Sequence, residues 1–398
     1  MFNRLSLWLL SVCCLAPVTT EAFAQKGGGG TTPPLPNVRY TVQIMGSSPF
    51  VQVNKINNLG MIVGHFANDA FIYNQPSGRL YKLNEEQSLL THLNTIFGPV
   101  GSVGSDWIFV SVGDINAKGQ VVGSVRNRVT QRTEGFAMNT LSNPDSSTWV
   151  VKRLPDVLSS TSYGRRINSH GKVLCYYVPV GSTVYDCYTC SPFTDPTAIQ
   201  LFGLTVNTID LNNNGTGTGT VALDGTVAGV LTSGLIFYGT DPTNIKTVNG
   251  ITNTIRFDGF NDLGFMSVAG HVRINNKSYP SSLIRASVLG NFEKILDDGR
   301  PYGLNQDSDI AIQTFNANHT FKQSKLAYNG SILIPKQVLS ITDLIPDPEM
   351  KSMLVNNEFL VSAIGDRSLP TDFGQLAGRV RTANGFIGVV LTPYVPVP

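Results

Sequence analysis

The chain has 398 residues, of which only 14% are charged, and a formal net charge of +2. So little charge on so long a chain excludes extensive disorder. The near balance of signs excludes a broad phosphate-binding surface, so nucleic acid is not an expected partner. Thirty-nine glycines, with many Thr, Asn, Val and Ile residues, point to short strands joined by tight turns, because Gly and Asn accept the backbone conformations that hairpins demand.

At the N-terminus Arg4 precedes an apolar run over 7–17, and a polar stretch then ends in Ala22-Phe23-Ala24. This is the charged, apolar, small-x-small order of a secretory signal peptide cleaved after Ala24. Residues 1–24 are read as signal and 25–37, with four glycines followed by prolines, as a flexible tether. No later run reaches the roughly 18 apolar residues of a membrane-spanning helix. The expected product is a secreted, periplasmic or cell-surface protein, monomeric, with one domain over 38–398.

That domain opens on a strand, Tyr40 to Met45, and then repeats itself. Lys55-Ile-Asn57-Asn-Leu-Gly60-Met-Ile-Val-Gly64 returns as Asp114-Ile-Asn116-Ala-Lys-Gly119-Gln-Val-Val-Gly123 and as Arg166-Ile-Asn168-Ser-His-Gly171-Lys-Val-Leu-Cys175. Chemically the unit is a strand end, a turn and a return strand. Asn accepts local backbone bonds, Gly supplies a positive φ, and the β-branched pair starts the next strand.

The fourth copy offers two alignments, with Asp210-Leu-Asn212-Asn-Asn214-Gly215 as the turn or with Asp224-Gly225-Thr-Val-Ala-Gly229 as the return strand. Weaker copies follow at Asn261-Asp-Leu-Gly264, at Asn305-Gln-Asp307-Ser-Asp309 and at Asp372-Phe-Gly374. The Asn positions, with Thr371 standing in for the last, recur every 44 to 66 residues. A second strand with a large apolar residue recurs within units, at Asp69-Ala-Phe71, Glu134-Gly-Phe136, Leu235-Ile236-Phe and Asn384-Gly-Phe386.

Such a period, with several short strands in each unit, predicts an all-β fold, a single β-propeller of about seven four-stranded blades. The first strand has no turn unit of its own, and the last unit lacks an outer strand. Pairing 40–45 into the last blade would close the ring and remove both exposed edges.

These units resemble the HAF family of bacterial extracellular repeat proteins, on Ile56-Asn-Asn-Leu-Gly60 through Tyr73 and on Phe373-Gly-Gln-Leu-Ala-Gly378 through Pro393. The resemblance covers most of the chain after residue 24. It implies export and a repeat fold, and it brings no catalytic residues with it.

Several residues invite chemistry. Asp210, Asn212 and Asn214 match the opening of a calcium loop, in which alternate oxygens wrap the cation, although the same places are turn positions of the repeat. Ca²⁺ is the one cofactor raised; otherwise none is expected. Cys175 and Cys187 straddle a hairpin whose midpoint falls at Gly181, which predicts a cross-hairpin disulfide and leaves Cys190 over. His65 and His271 both follow the closing Gly of a unit, where they are read as strand residues.

Two functions follow. One is a noncatalytic binding or surface-interaction protein for an extracellular protein or glycan, with long inserts over 83–113 and 335–371 forming its ligand face. The other is a polysaccharide hydrolase or lyase, which would need Asp297, Asp298, Asp307 and Asp309 to converge.

Overall fold

The computed structural model describes residues 38–396 except 68, 99–105, 141–144, 157–158, 184, 204–218, 222–225, 231–234, 262, 275–276, 289–290, 331–335 and 368–372. Seven four-stranded antiparallel sheets stand as blades in a ring, a seven-bladed β-propeller.

Strand β1 (Arg39–Ser48) is followed by the first blade, β2 to β5 (Val51–Ile56, Met61–Phe66, Asp69–Asn74, Arg79–Lys82), and by helix α1 (Gln87–Phe97). The second blade is β6 to β9 (Trp107–Ile115, Gln120–Asn127, Thr133–Asn139, Val150–Arg153), and the third is β10 to β13 (Ser159–Ile167, Val173–Pro179, Asp186–Ser191, Asp195–Leu201). The fourth is β14 to β17 (Gly219–Val221, Val227–Val230, Ile236–Gly239, Lys246–Thr247), and the fifth is β18 to β21 (Ile251–Phe260, Phe265–Ile274, Lys277–Ser287, Phe292–Asp297). The sixth is β22 to β25 (Gly299–Leu304, Ile310–Phe315, Phe321–Tyr328, Gln337–Ser340). After helix α2 (Pro348–Asn356) come β26 to β28 (Phe359–Ile364, Leu376–Thr382, Gly385–Tyr394).

The ring closes as the sequence predicts. β1 pairs antiparallel with β28, from Arg39 opposite Tyr394 to Ser48 opposite Phe386, so the first strand is the outer strand of the seventh blade. Buried Tyr40 fixes the join by donating its hydroxyl to the Gly374 carbonyl at 2.9 Å. Both ends of the repeat domain thereby lose an unpaired edge.

The glycine that ends the unit has a packing reason. A Cβ on Gly64 would lie 2.0 Å from the Gln52 carbonyl oxygen and 2.9 Å from the Phe71 ring, and one on Gly123 would lie 2.1 Å from the Ser111 carbonyl oxygen and 2.7 Å from Phe136. The second strand carries glycine there, and the aromatic residue opposite on the third strand covers it, as Phe71 pairs with Gly64 and Phe136 with Gly123. In the third blade the small residue changes strand: Cys175 takes the glycine's place and faces Gly164 on β10, with Tyr188 as its aromatic partner.

The register also settles the fourth copy. Ile56 pairs with Ile62, Ile115 with Val121, Ile167 with Val173 and Phe260 with Met266, each pair enclosing a five-residue connection. Val221 pairs with Val227 in the same way, so the fourth connection falls between these two residues, and 222–225 within it lie outside the described residues. The return-strand alignment on Asp224-Gly225 is the correct one.

In the seventh blade the equivalent of Asn57 is Gly365, whose N–H donates to the Gln375 carbonyl at 2.8 Å as that of Asn57 does to Met61 at 3.0 Å. The turn is lengthened there, and Thr371, which lies outside the described residues, is not its first residue. In the sixth blade Ser308 stands where other turns have glycine, at φ +64°.

Candidate functional site

In the first, second, third, fifth and sixth blades the first strand lines the central channel and ends at the repeat's Asn turn, and in the seventh it lines the channel and ends at Gly365. Those strands share an irregularity just before the turn. Register shifts fall between Val53 and Lys55, Val112 and Asp114, Gly164 and Arg166, Asp258 and Phe260, Pro301 and Gly303, and Val361 and Ala363. A bulge adds one residue and re-aims its neighbours. It sets the residue two before the turn at the channel wall.

That residue is Lys55, Asp114 or Arg166 in the first three blades and Gly259, Gly303 or Ala363 in the fifth to seventh. Of these six described positions, three carry charge and three carry a glycine or an alanine. Between them lies a cavity of about 270 Å³ to which all six residues contribute, together with Asn54, Asp258, Phe260 and Tyr302. Its mouth is edged by the residues one beyond the turn position, Asn58, Ala117, Ser169, Gln306 and Asp366.

Arg166 organises the charges. Its Nη2 lies 3.8 Å from Asp258 Oδ1, a link from the third blade to the fifth across the space in front of the fourth, with side chains only 11% and 8% exposed. Its Nη1 donates to the Gly113 carbonyl at 3.3 Å. Asp114 accepts from the Ile115 N–H at 2.9 Å and from the Ile167 N–H at 3.0 Å, which ties the second blade to the third. Burial pushes the Asp114 carboxyl above its ordinary pKa, against the opposing pull of Arg166 and then Lys55. On the far side the Arg256 guanidinium lies 3.7 Å from the centre of the Tyr302 ring and braces it.

Around the same end of the channel the repeat's Asn side chains do two jobs. Asn57 Oδ1 accepts from the N–H groups of Leu59 and Met61 at 3.0 and 2.9 Å, which is the turn role. Its Nδ2 donates to the carbonyl of Asn116, and Asn116 Nδ2 donates to that of Asn168, each at 2.9 Å. Asn261 donates to the Asn305 carbonyl at 3.2 Å and Asn305 to the Gly365 carbonyl at 3.0 Å. Each amide thus ties its blade to the next. Gly365, in the Asn57 place of the seventh blade, has no amide to offer.

The residues singled out in sequence are not brought together here. Asp210, Asn212 and Asn214 lie outside the described residues. Among the described residues no group of three or more His, Cys, Asp or Glu side chains is placed to hold a metal ion. No helix among them is long and apolar enough to cross a membrane.

The disulfide expectation between Cys175 and Cys187 is corrected by register. Tyr176, not Cys175, is opposite Cys187, so the two thiols lie on opposite faces of the blade, and all three cysteines are free. Cys175 Sγ lies instead 3.7 Å from Cys190 Sγ.

His65 and His271 sit on β3 and β19, the second strands of their blades, and neither lines the cavity. His65 stacks on Phe50 with ring centres 5.5 Å apart, and burial, aided by nearby Arg379, lowers its pKa to about 4.

The four carboxylates of the hydrolase reading do not converge. Asp297 and Asp298 precede β22 and Asp307 and Asp309 follow it, so the pairs sit at opposite ends of a strand roughly 20 Å long. Asp309 is fully buried against Arg367, and Asp297 is paired with Lys294 at 2.8 Å and Ser282 at 2.7 Å.

The insert over 335–371 reaches the cavity through Ala363, Ile364 and Asp366, whereas the insert over 83–113 is not a ligand face there. α1 precedes β6, whereas the Asn turn follows it, so the helix lies at the other end of the blade and buries Leu89, Leu93 and Phe97. The cavity residues Lys55, Arg166, Asp258 and Tyr302 escaped the sequence reading. Their signal was a position, two or three residues before each Asn, that a single chain does not label as channel-facing.

No family model matches the chain, and no curated protein matches its sequence. Among solved structures it is similar to PorZ, a surface component of the type-IX secretion system of Porphyromonas gingivalis, at 11% identity over 87% of this chain and 39% of that one, with a TM-score of 0.42. It is also similar to the extracellular domain of the hybrid two component system BT4673 of B. thetaiotaomicron, at 11% identity over 88% and 39% of the two chains, TM-score 0.40. A third likeness is to YCF48 from Cyanidioschyzon merolae, at 10% identity over 88% and 98%, TM-score 0.40. At these identities the likeness is one of fold alone.

Proposed function

We propose that the chain is an exported, noncatalytic binding propeller whose channel mouth takes a small polar ligand, the end of a glycan chain. The observation that carries this reading is the asymmetric cavity, with Lys55, Asp114 and Arg166 on one wall facing Gly259, Gly303 and Ala363 on the other. At about 270 Å³ it is near the lower end of small-ligand pockets, roughly 300 Å³, and far too small for a folded partner. Ammonium, guanidinium, carboxylate and amide groups within one cavity offer both donors and acceptors, which is what sugar hydroxyls and uronate carboxylates require. Tyr302 and Phe260 add apolar surface for a pyranose face. A noncatalytic role agrees with carboxylates already engaged, Asp114 by two main-chain N–H groups and Asp258 by Arg166.

The test is a thermal-shift panel of neutral and acidic oligosaccharides against the intact chain and an Arg166→Ala variant. At least one saccharide is expected to raise the melting temperature of the parent by several degrees and to lose most of that effect in the variant. A panel without any response, or a response equal in both proteins, contradicts the reading.

A further inference from the structure

The third blade departs from the repeat where it matters chemically. Gly64, Gly123 and Gly378 occupy the closing position of their units, but the third unit has Cys175 there. Gly164 on β10 is the residue opposite Cys175, and a Cβ on it would meet Leu154, Gly123 N and Val122 of the second blade at 3.0 to 3.1 Å. The next strand carries Cys190 opposite Val173, two residues along from the partner of Cys175, so both thiols stand on one face of the β11–β12 pair. Both are buried in the apolar layer shared with Val122 and Leu154 of the second blade, and their sulfurs are 3.7 Å apart. Cys187 faces the other way, among Leu174, Tyr176 and Phe237.

We propose that Cys175 and Cys190 form a disulfide when the chain folds in the presence of a disulfide oxidant, and that Cys187 remains a free thiol. One cysteine, as thiolate, attacks a sulfur of oxidised glutathione and displaces one glutathione thiolate, leaving a mixed disulfide. The second cysteine, deprotonated, attacks the protein sulfur of that mixed disulfide and releases the second glutathione. The two thiols lose two protons and two electrons, and one glutathione disulfide becomes two glutathione thiols.

Burial pushes the thiol of Cys175 well above its ordinary pKa, and that of Cys187 likewise, so neither reacts readily once the blade is packed. The bond therefore forms before the second and third blades close on each other. Its effect is to staple the hairpin between the two middle strands of the third blade.

The experiment refolds the full chain with a reduced and oxidised glutathione couple, blocks free thiols with N-ethylmaleimide in denaturant, and maps peptides cut after tyrosine without reduction. The expected result is a linked peptide joining Cys175 to Cys190 and maleimide on Cys187. Maleimide on all three, or a link to Cys187, overturns the proposal. A second reading uses stability: reductant present throughout refolding should lower the thermal midpoint of the parent and leave that of a Cys190→Ala variant unchanged. An equal response in both overturns it as well.

Discussion

Asn57 donates its side-chain amide to the main-chain carbonyl of Asn116, 2.9 Å away and one blade further round the ring. The same side chain's oxygen closes its own turn, so one residue type fixes both the local hairpin and the spacing of adjacent blades. The isosteric change Asn116→Asp separates these roles, since it keeps the turn acceptor but places an acceptor against the Asn168 carbonyl. It is expected to cost about 1 to 3 kcal/mol in urea denaturation. Full stability in that variant would show that the amide donations are idle.

Two glycines are needed for different reasons, and alanine tells them apart. Gly64 has no room, because a Cβ would meet the Gln52 carbonyl at 2.0 Å. Gly181 has room on every side but holds φ at +80°. Gly64→Ala is expected to cost more than about 3 kcal/mol and Gly181→Ala only about 1 to 2 kcal/mol, from backbone handedness alone. Chemical denaturation of both variants decides it, and equal losses would contradict the packing argument.

His65 makes stability depend on acidity. Its pKa falls from 6.5 to about 4 in the folded protein through burial and then Arg379, so between those values the unfolded chain binds a proton that the native protein refuses. Stability is unaffected above pH 6.5 and declines as pH falls toward 4, by roughly 3 kcal/mol in full at about 1.4 kcal/mol per pH unit. The slope of unfolding free energy against pH over this window should shrink in His65→Gln. An unchanged slope would assign the effect to other groups.

Arg367 pairs with a carboxylate that is buried away from the surface. Asp309 is fully buried and accepts from Arg367 Nε at 2.8 Å and from the Asn329 N–H at 2.8 Å. Arg367→Ala leaves that charge unpaired and is expected to cost about 3 to 5 kcal/mol. Adding Asp309→Asn should recover a substantial part of the loss. If the double variant were no more stable than the single one, the cost would lie instead in the lost packing of the Arg367 guanidinium on the Tyr328 ring, 4.0 Å from its centre.

Blade number and ring closure were legible because both are written in spacing: Asn and Gly recur with the blades, and an unmatched strand at each end of the domain calls for the other. Spacing misled where a blade departs from the consensus. The stretch 222–226 between the paired Val221 and Val227 contains no Asn, and nearby Asp210 and Asn212 imitate the missing signal. The cysteine pairing failed by one residue, since the β11–β12 hairpin centres between Gly181 and Ser182 and a shift of one moves a side chain to the other face. The cavity was least legible. Lys55 and Arg166 stood in plain view beside each Asn, but their meeting with Asp258 depends on the curvature of the whole ring.

The central claim is that a ligand enters the channel at the Asn-turn end. Ala117 is exposed, lies at that mouth, and can accept a large side chain without disturbing the core. The most direct measurement is the calorimetric affinity of Ala117→Trp for whichever oligosaccharide stabilises the parent chain. The account expects an unliganded melting temperature like the parent's and an affinity at least tenfold weaker. Unchanged affinity in a folded Ala117→Trp protein would place the ligand elsewhere and contradict it.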